Sequence, residues 1–255
     1  MIAPAVPPLL ELVAPPEWRT ADFISDLHLQ ASDSATFDAW RSYMRATSCS
    51  AVFILGDLFD VWVGDDAALA PGFEADCAAV LKDAALRLPL FLMHGNRDFL
   101  VGAGIIHAGA SLLEDPTVLI FLGRRWVLTH GDALCLDDTD YLAFRAQVRA
   151  PGWQREFLAQ PLAERHAIGR SLRQQSEARK LSGMAYADVD HAFATAWLQA
   201  ANAQVMVHGH THKPADHELG GGLRRIVLSD WDAAAETPRL QVLRVSDAGE
   251  LRVAP

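Results

Sequence analysis

The sequence of 255 residues lacks three features that define broad classes of protein. Its only three cysteines, Cys49, Cys77 and Cys135, are widely spaced and form no CxxC pair, so a disulfide framework is excluded and reduced, buried thiols are expected. No apolar run reaches about 18 residues, which argues against a membrane-spanning helix. A basic excess is also missing: the net charge is −10, which argues against nucleic acid as a partner.

Residues 1–18 contain no Lys or Arg and are interrupted by prolines. An export signal has a basic start and an unbroken apolar segment, so this stretch is interpreted as a loosely attached Pro-rich tail. A cytosolic location, or one on a membrane surface, follows from that interpretation. Residues 19–255, with an ordinary balance of hydrophobic and charged side chains, are expected to form the folded domain.

The first half of this domain alternates between strand and helix patterns. A strand at Ala21–Ser25 leads to a helix near Ser34–Ala46, and a strand at Ala51–Leu55 leads to a helix near Phe73–Leu88. A third strand follows at Leu90–His94. Such alternation predicts an α/β fold, with helices packed outside the strands.

The second half begins with two β runs around Gly123-Arg124, which predict a hairpin. Residues 139–200 are almost wholly helical in composition, and β runs return after them, with a hairpin turn expected at Gly220–Gly222. The helical block therefore looks like an insertion between two halves of a sheet-based core.

The insertion differs in charge from the rest of the chain. Between Arg145 and Lys180 there are eight basic residues and three acidic ones. A solvated helix face explains this pattern, and so does a lid over an anionic substrate or a face toward anionic lipid. The sequence leaves these alternatives open.

Each of five apolar runs ends in His, Asp or Asn, which are side chains that can bind metals. The residues concerned are Asp26 and His28, Asp57 and Asp60, Asn96 and Arg97, His130, and His208, His210 and His212. Each of them taken alone is explained by a turn or an ordinary histidine. Together, they predict a ligand site at one edge of the sheet, because the ends of parallel strands meet there. Oxygen and imidazole donors without sulfur favour manganese, iron or zinc.

The order D-x-H, GD, GN, H and GHxH resembles the calcineurin-like metallophosphoesterases from about Ala21 to the C-terminus. Longer stretches, among them "GDLFDVWVGDD", "HGNRDFLVG" and "HGHTHKPADHEL", are similar to the lipid A pathway hydrolases of that superfamily. Gly95-Asn96-Arg97-Asp98 stands where the superfamily usually has GNH[DE]. The resemblance implies a four-layer α/β/β/α sandwich with a helical lid insertion near 139–200.

The resemblance also implies two divalent metal ions, with Mn²⁺ expected. One ion would be held by Asp26, His28, Asp57 and His212, and the other by Asp57, Asn96, His130 and His210. Asp57 would bridge the pair, and Asp57, Arg97 and His210 are the expected catalytic residues. His208 falls outside the GHxH pattern and is expected only as a neighbour. His94, Asp132 and Asp60 are expected to orient ligands.

The implied reaction is hydrolysis of UDP-2,3-diacylglucosamine to 2,3-diacylglucosamine 1-phosphate and UMP, by a peripheral enzyme on the cytoplasmic side of the inner membrane. Implied substrate contacts are Asn96, Arg97, Asp138, Ser176 and His210. The resemblance implies that the chain is one residue shorter after Ser176 than its relatives, so Arg179 or Lys180 is the hypothesised source of lid charge. Two alternatives remain: a phosphodiesterase or nucleotide-sugar diphosphatase acting on soluble substrates, and a non-catalytic scaffold with the same fold.

Overall fold

The computed structural model describes residues 6–181 and 187–255, with the backbone alone at positions 106 and 177–181. The strands are β1 (Leu10–Val13), β2 (Thr20–Ile24), β3 (Ala51–Leu55), β4 (Leu90–Met93), β5 (Ala110–Leu113), β6 (Thr117–Phe121), β7 (Arg124–Leu128), β8 (Val205–His208), β9 (Ala215–Gly220), β10 (Leu223–Val227), β11 (Val242–Ser246) and β12 (Gly249–Val253). The helices are α1 (Ser34–Ala46), α2 (Phe73–Ala85), α3 (Ala103–His107), α4 (Thr139–Val148), α5 (Pro151–Leu158), α6 (Leu162–Leu181) and α7 (His191–Ala200). The predicted alternation and the β6–β7 hairpin are confirmed, and helices occupy most of the described residues between 139 and 200.

The strands form two six-stranded sheets, ordered β12-β11-β2-β3-β4-β5 and β1-β6-β7-β8-β10-β9. In the first sheet β2, β3, β4 and β5 are parallel, and in the second β7, β8 and β10 are parallel. Parallel strands release their carboxyl ends at the same edge of a sheet. The loops that carry the predicted ligands therefore leave both sheets on one side.

Apolar side chains from both sheets fill the space between them. Phe53 stacks on Phe23 at a centroid distance of 5.0 Å, and its cluster includes Trp126 and Val207 from the opposite sheet. A second apolar cluster lies under α1 and α2, and a third lies under α7. The layers are therefore helix, sheet, sheet and helix, which confirms the expected α/β/β/α sandwich.

The N-terminal segment corrects one expectation. Strand β1 pairs in parallel with β6, from Leu10 opposite Thr117 to Val13 opposite Ile120, and Trp18 is buried. The idea of a loosely attached tail is therefore wrong for residues 10–13 and for Trp18. Prolines flank the β1 strand without interrupting it, and an edge strand needs hydrogen-bonding partners on one side only.

Helix α6 is fastened to the core by a buried arginine. Arg165 is 2% exposed and donates hydrogen bonds to the carbonyl oxygens of Val63 at 2.5 Å and Gln160 at 3.0 Å, and to the Asp66 carboxylate. One turn later Gly169 lets the helix approach closely, since a Cβ there would lie 2.7 Å from Val61. No helix in the described part of the chain combines the length and the apolar character needed to cross a bilayer.

Candidate metal centre and active site

The predicted ligands lie at the carboxyl ends of five strands. Asp26 and His28 follow β2, Asp57 follows β3, and Asn96 follows β4. In the second sheet His130 follows β7, while His210 and His212 follow β8. Although they span 187 positions of the chain (26 to 212), all seven side chains face one another, because the two sheets present these loops side by side.

The backbone at this site adopts a left-handed conformation that residues other than glycine rarely take. Seven described non-glycine residues have a positive φ, and five of them are predicted ligands: Asp26, His28, Asp57, His210 and His212, with φ between 49° and 66°. Such conformations cost free energy and persist where the surrounding structure enforces them. They turn each side chain sharply away from its strand and toward the centre of the cluster.

Two glycines allow the ligand loops to come this close. A Cβ at Gly95 would lie 2.0 Å from Oδ1 of Asp57, and a Cβ at Gly209 would lie 2.2 Å from Oδ2 of Asp26. Neither contact is sterically tolerable, so a side chain at either position would push a carboxylate out of place.

Asp26, His28 and His212 form the first group. Their ligand atoms all lie within 4.8 Å of one another. His212 Nε2 is 3.3 Å from Asp26 Oδ1 and 3.1 Å from His28 Nε2. Oδ2 of Asp26 accepts hydrogen bonds from the Ser25 hydroxyl and from the His210 backbone N–H, so the carboxylate is held in one orientation.

The second group contains Asp57, His130, Asn96 and His210. Asp57 Oδ2 lies 3.9 Å from His130 Nε2 and also 3.9 Å from His28 Nδ1, so this carboxylate stands between the two groups. Oδ1 of Asn96 lies 3.0 Å from Nε2 of His130 and 3.0 Å from Nδ1 of His210. One ligand atom from each of Asp26, Asp57 and His130 likewise lies within 4.8 Å of the other two.

The hydrogen bonds of these side chains fit divalent cations. Nδ1 of His130 donates to the Leu55 carbonyl at 2.9 Å, so a neutral ring keeps its lone pair on Nε2, beside oxygens of Asn96 and Asp57. In addition, Asp26 Oδ1 and His28 Nδ1 are buried and have no hydrogen-bond partner. Converging lone pairs and unpartnered buried acceptors are what a cation with nitrogen and oxygen ligands requires.

The pKa values of the cluster reflect burial and crowding. Burial raises the pKa of Asp57 to about 7, against the opposing effect of His130. Burial lowers the pKa of His130, but the carboxylates of Asp57 and Asp26 outweigh it and raise the pKa to about 9. Burial and the neighbouring His130 lower the pKa of His210 to about 3. A bound cation would stabilise the anionic carboxylate and the neutral imidazole, which are the ligand forms of both groups.

Arg97 reaches into the cluster from the Asn96 loop. Its backbone N–H donates to Asp57 Oδ1 at 2.9 Å, and its Nε lies 3.5 Å from Asp57 Oδ2. Its guanidinium also forms an ion pair with Asp60, and Asp60 in turn accepts from Arg173 of α6 at 2.8 Å. Asp60 therefore orients Arg97 rather than a metal ligand, and it links that arginine to helix α6.

Two further residues support the ligand loops, although neither was a predicted site residue. The buried Asp98 carboxylate accepts from the backbone N–H groups of Leu58 at 2.8 Å and Gly95 at 2.7 Å. Tyr141 stacks on His210 with ring centroids 6.0 Å apart, and its hydroxyl donates to Asp132. The D in "GNRD" was the available signal for Asp98. Tyr141 lies in the stretch "HGDALCLDDTDYLAFRAQVR", which is similar to the same hydrolases but gave this residue no role.

Other predicted residues lie apart from the cluster. His208 contacts Arg225 rather than the metal groups, as expected for a neighbour. Asp138 caps helix α4 by accepting from the Tyr141 backbone N–H, and Ser176 is half-buried on α6. The side chains of Arg179 and Lys180 lie outside the described part of the structure.

Comparison with known proteins agrees with this geometry. Residues 20–214 match the model of the calcineurin-like phosphoesterase family. The chain is 47% identical over 219 residues to UDP-2,3-diacylglucosamine hydrolase of Chromobacterium violaceum, covering 82% of this chain and 89% of that protein. It is 44% identical over 217 residues to the protein of the same name from Cellvibrio japonicus, covering 82% and 90%. The ligand loops, the sandwich and these matches together show that the chain belongs to the calcineurin-like phosphoesterase family.

Proposed function

We propose that this protein hydrolyses the diphosphate of UDP-2,3-diacylglucosamine, yielding 2,3-diacylglucosamine 1-phosphate and UMP, as a step of lipid A biosynthesis. The observation that carries the proposal is the cluster of seven nitrogen and oxygen ligands at the converging strand ends. The chain shares 47% and 44% identity with the two relatives named above over most of their length and its own, and their name supports this substrate.

Two divalent cations, with Mn²⁺ as the expected ion, are proposed cofactors. Asp26, His28, Asp57 and His212 would hold one, and Asp57, Asn96, His130 and His210 would hold the other. The position of Asp57 between the two groups supports its bridging role. When bound, a pair of cations supplies Lewis acidity toward a phosphate oxygen and a source of hydroxide near neutral pH.

The chain's own residues would position the diphosphate. Water attacks the α-phosphorus, the bond from that phosphorus to the bridging oxygen breaks, and the lipid phosphate departs with the electron pair. Arg97 is fixed from two sides by Asp57 and Asp60, so its remaining N–H groups point in defined directions toward a phosphate. His210 stays neutral because of its low pKa, and its ring is held against Asn96 and Tyr141.

The lid contacts remain part of the proposal. Asp138, Ser176, and either Arg179 or Lys180 would contact the substrate from the α4 and α6 side. Steady-state kinetics of Arg179→Ala and Lys180→Ala tests the two candidates: loss of the cation that contacts the substrate should raise KM for the lipid substrate. Unchanged KM and kcat in both variants would remove these residues from the substrate site.

Peripheral contact with the cytoplasmic face of the inner membrane is proposed for the surface of α5 and α6. Leu158, Ile168 and Leu172 are exposed on these two helices, which also carry the exposed Arg155 and Arg170. Exposed aliphatic and basic side chains favour binding to anionic lipid.

Sedimentation with phosphatidylglycerol vesicles tests the membrane contact. The double variant Arg155→Gln, Arg170→Gln should bind less than the wild type, whereas Lys82→Gln on the distant helix α2 should not differ. Equal sedimentation of all three proteins would refute the contact.

The activity itself is tested by mixing manganese-loaded protein with UDP-2,3-diacylglucosamine and measuring UMP. We expect release of UMP that stops when a chelator is added. UDP-N-acetylglucosamine, which lacks the acyl chains, should be a much poorer substrate. Equal turnover of both would indicate a diphosphatase for soluble substrates, and no turnover of either would indicate a scaffold.

A further inference from the structure

A groove lies beside the metal-ligand cluster, lined by Arg145 of α4 and by Arg149 at the C-cap of that helix. It consists of two adjoining cavities of about 280 and 600 Å³ that share His94, Glu114 and Arg149 as lining residues. Cavities of this size accept small organic ligands. None of the residues shared by the two cavities is a proposed metal ligand.

The groove is joined directly to the Asn96 loop. Nη2 of Arg149 donates to the Gly95 carbonyl oxygen at 2.8 Å, and Gly95 precedes Asn96. The Arg145 Nε donates to Asp132 at 2.8 Å, and Asp132 also accepts from Tyr141, whose ring lies on His210. A ligand that occupies the groove therefore lies next to the place where the phosphate would bind.

The smaller cavity is lined by two acidic and two basic side chains. Asp115 and Glu114 lie opposite Arg145 and Arg149, so the cavity has no net charge to attract an anion. Oδ1 of Asp115 accepts from the Thr129 hydroxyl at 2.5 Å, but Oδ2 has no hydrogen-bond partner and lies 3.9 Å from Nη2 of Arg145. The Asp115 side chain is only 5% exposed, and a buried acceptor without a partner calls for a donor.

We propose that this groove binds the uracil nucleoside of the substrate and makes the enzyme selective for uracil. This inference rests on the proposed function, which places the α-phosphate of a UDP-sugar at the neighbouring cluster. Uracil presents an N–H group between two carbonyl oxygens. The guanidinium groups of Arg145 and Arg149 supply donors for the carbonyls, and the carboxylate of Asp115 accepts from the N–H.

Cytosine distinguishes this arrangement from a general nucleotide site. It has a lone pair where uracil has the N–H group, so it would face Asp115 with an acceptor against an acceptor. Sites that hydrogen-bond a substrate N–H reject analogues without it, because the buried partner is left unpaired. The acyl half of the substrate would then extend the other way, toward α6 and Arg173.

Calorimetric titration of the manganese-loaded enzyme with UMP and with CMP tests the proposal. Both nucleotides carry the same phosphate, so the ratio of their dissociation constants isolates the base from the metal contacts. The wild type should bind UMP at least about tenfold more tightly than CMP. In the variant Asp115→Asn the side chain can donate as well as accept, so the ratio should fall toward one. Asp83→Asn, exposed on helix α2 and outside the groove, is the matched control and should keep the wild-type ratio.

Equal affinity of the wild type for UMP and CMP would overturn the proposal without any variant, even if Asp115→Asn fails to fold. An Asp115→Asn protein that retains the full preference for UMP would overturn the assignment of that residue. Failure of the proposed function has a different signature: the enzyme would not hydrolyse UDP-2,3-diacylglucosamine, whatever the ratio of nucleotide affinities.

Discussion

Replacing Asp98 by alanine should impair both the stability of the protein and its affinity for metal, although Asp98 is not a proposed ligand. Its buried carboxylate accepts two short hydrogen bonds, from Leu58 and Gly95, and two longer ones, from Asp57 at 3.3 Å and Phe59 at 3.4 Å. These bonds tie the loop after β3 to the loop after β4. The variant therefore loses the connection between the two loops that carry Asp57 and Asn96.

The magnitude follows from the two short bonds. A hydrogen bond to a charged group contributes about 1.5–3 kcal/mol, so their loss should lower the free energy of unfolding by about 3–6 kcal/mol. The longer pair adds little. Since domains of this kind are stable by about 5–15 kcal/mol, much of the variant should still fold in the cold. Loss of loop support should weaken manganese binding about tenfold to a hundredfold.

Urea unfolding of the metal-free protein and calorimetric titration with Mn²⁺ measure the two effects separately. Asp33→Ala is the matched control, because Asp33 caps helix α1 through the Thr36 N–H and lies outside the ligand loops. It should cost about 1 kcal/mol and leave the manganese affinity unchanged. If Asp98→Ala behaves like Asp33→Ala in both measurements, the proposed support of the ligand loops is wrong.

Three further predictions concern turnover, the lid and pH. Asp57→Ala should lower kcat by several orders of magnitude while the circular dichroism spectrum stays that of a folded protein; near-normal turnover with metal bound would refute the bridging role. Arg165→Ala should speed amide hydrogen exchange in α6, while Arg170→Ala, exposed on the same helix, should not; equal exchange would mean that Arg165 does not anchor the lid. Burial lowers the pKa of His208 to about 4, below its ordinary value of about 6.5, so the unfolded chain takes up a proton first. The metal-free protein should therefore lose stability as the pH falls from about 6.5 to 4, and His208→Asn should lose less; identical pH profiles would contradict this.

The alternation of strands and helices could be predicted from the sequence because it is a local property. Helix α1 and strand β3 have the predicted bounds, since Asp33 caps the helix and an uninterrupted apolar run forms the strand. Strand β1 was missed because its four residues are surrounded by prolines, and the parallel pairing with β6 joins segments about a hundred positions apart. No local pattern encodes such a contact.

The ligand cluster could be predicted because each of its motifs ends a strand, and parallel strands share an edge. The residues that support the cluster could not. Tyr141 and Arg145 on α4 and Arg149 at its C-cap follow one another at helical spacing and look like an ordinary helix face. Only the packing of α4 against the loops after β4, β7 and β8 brings them to Gly95, Asp132 and His210.

The left-handed backbone at five ligand positions has a consequence for how the protein acquires metal. The free-energy cost of these backbone conformations is met during folding, before a metal ion binds. Capture of a cation then demands little rearrangement, so loading and exchange of ions can proceed without local refolding. A substitution at one of these five positions therefore has two effects. A β-branched residue would remove a ligand, and it would also disfavour the positive φ that the loop requires.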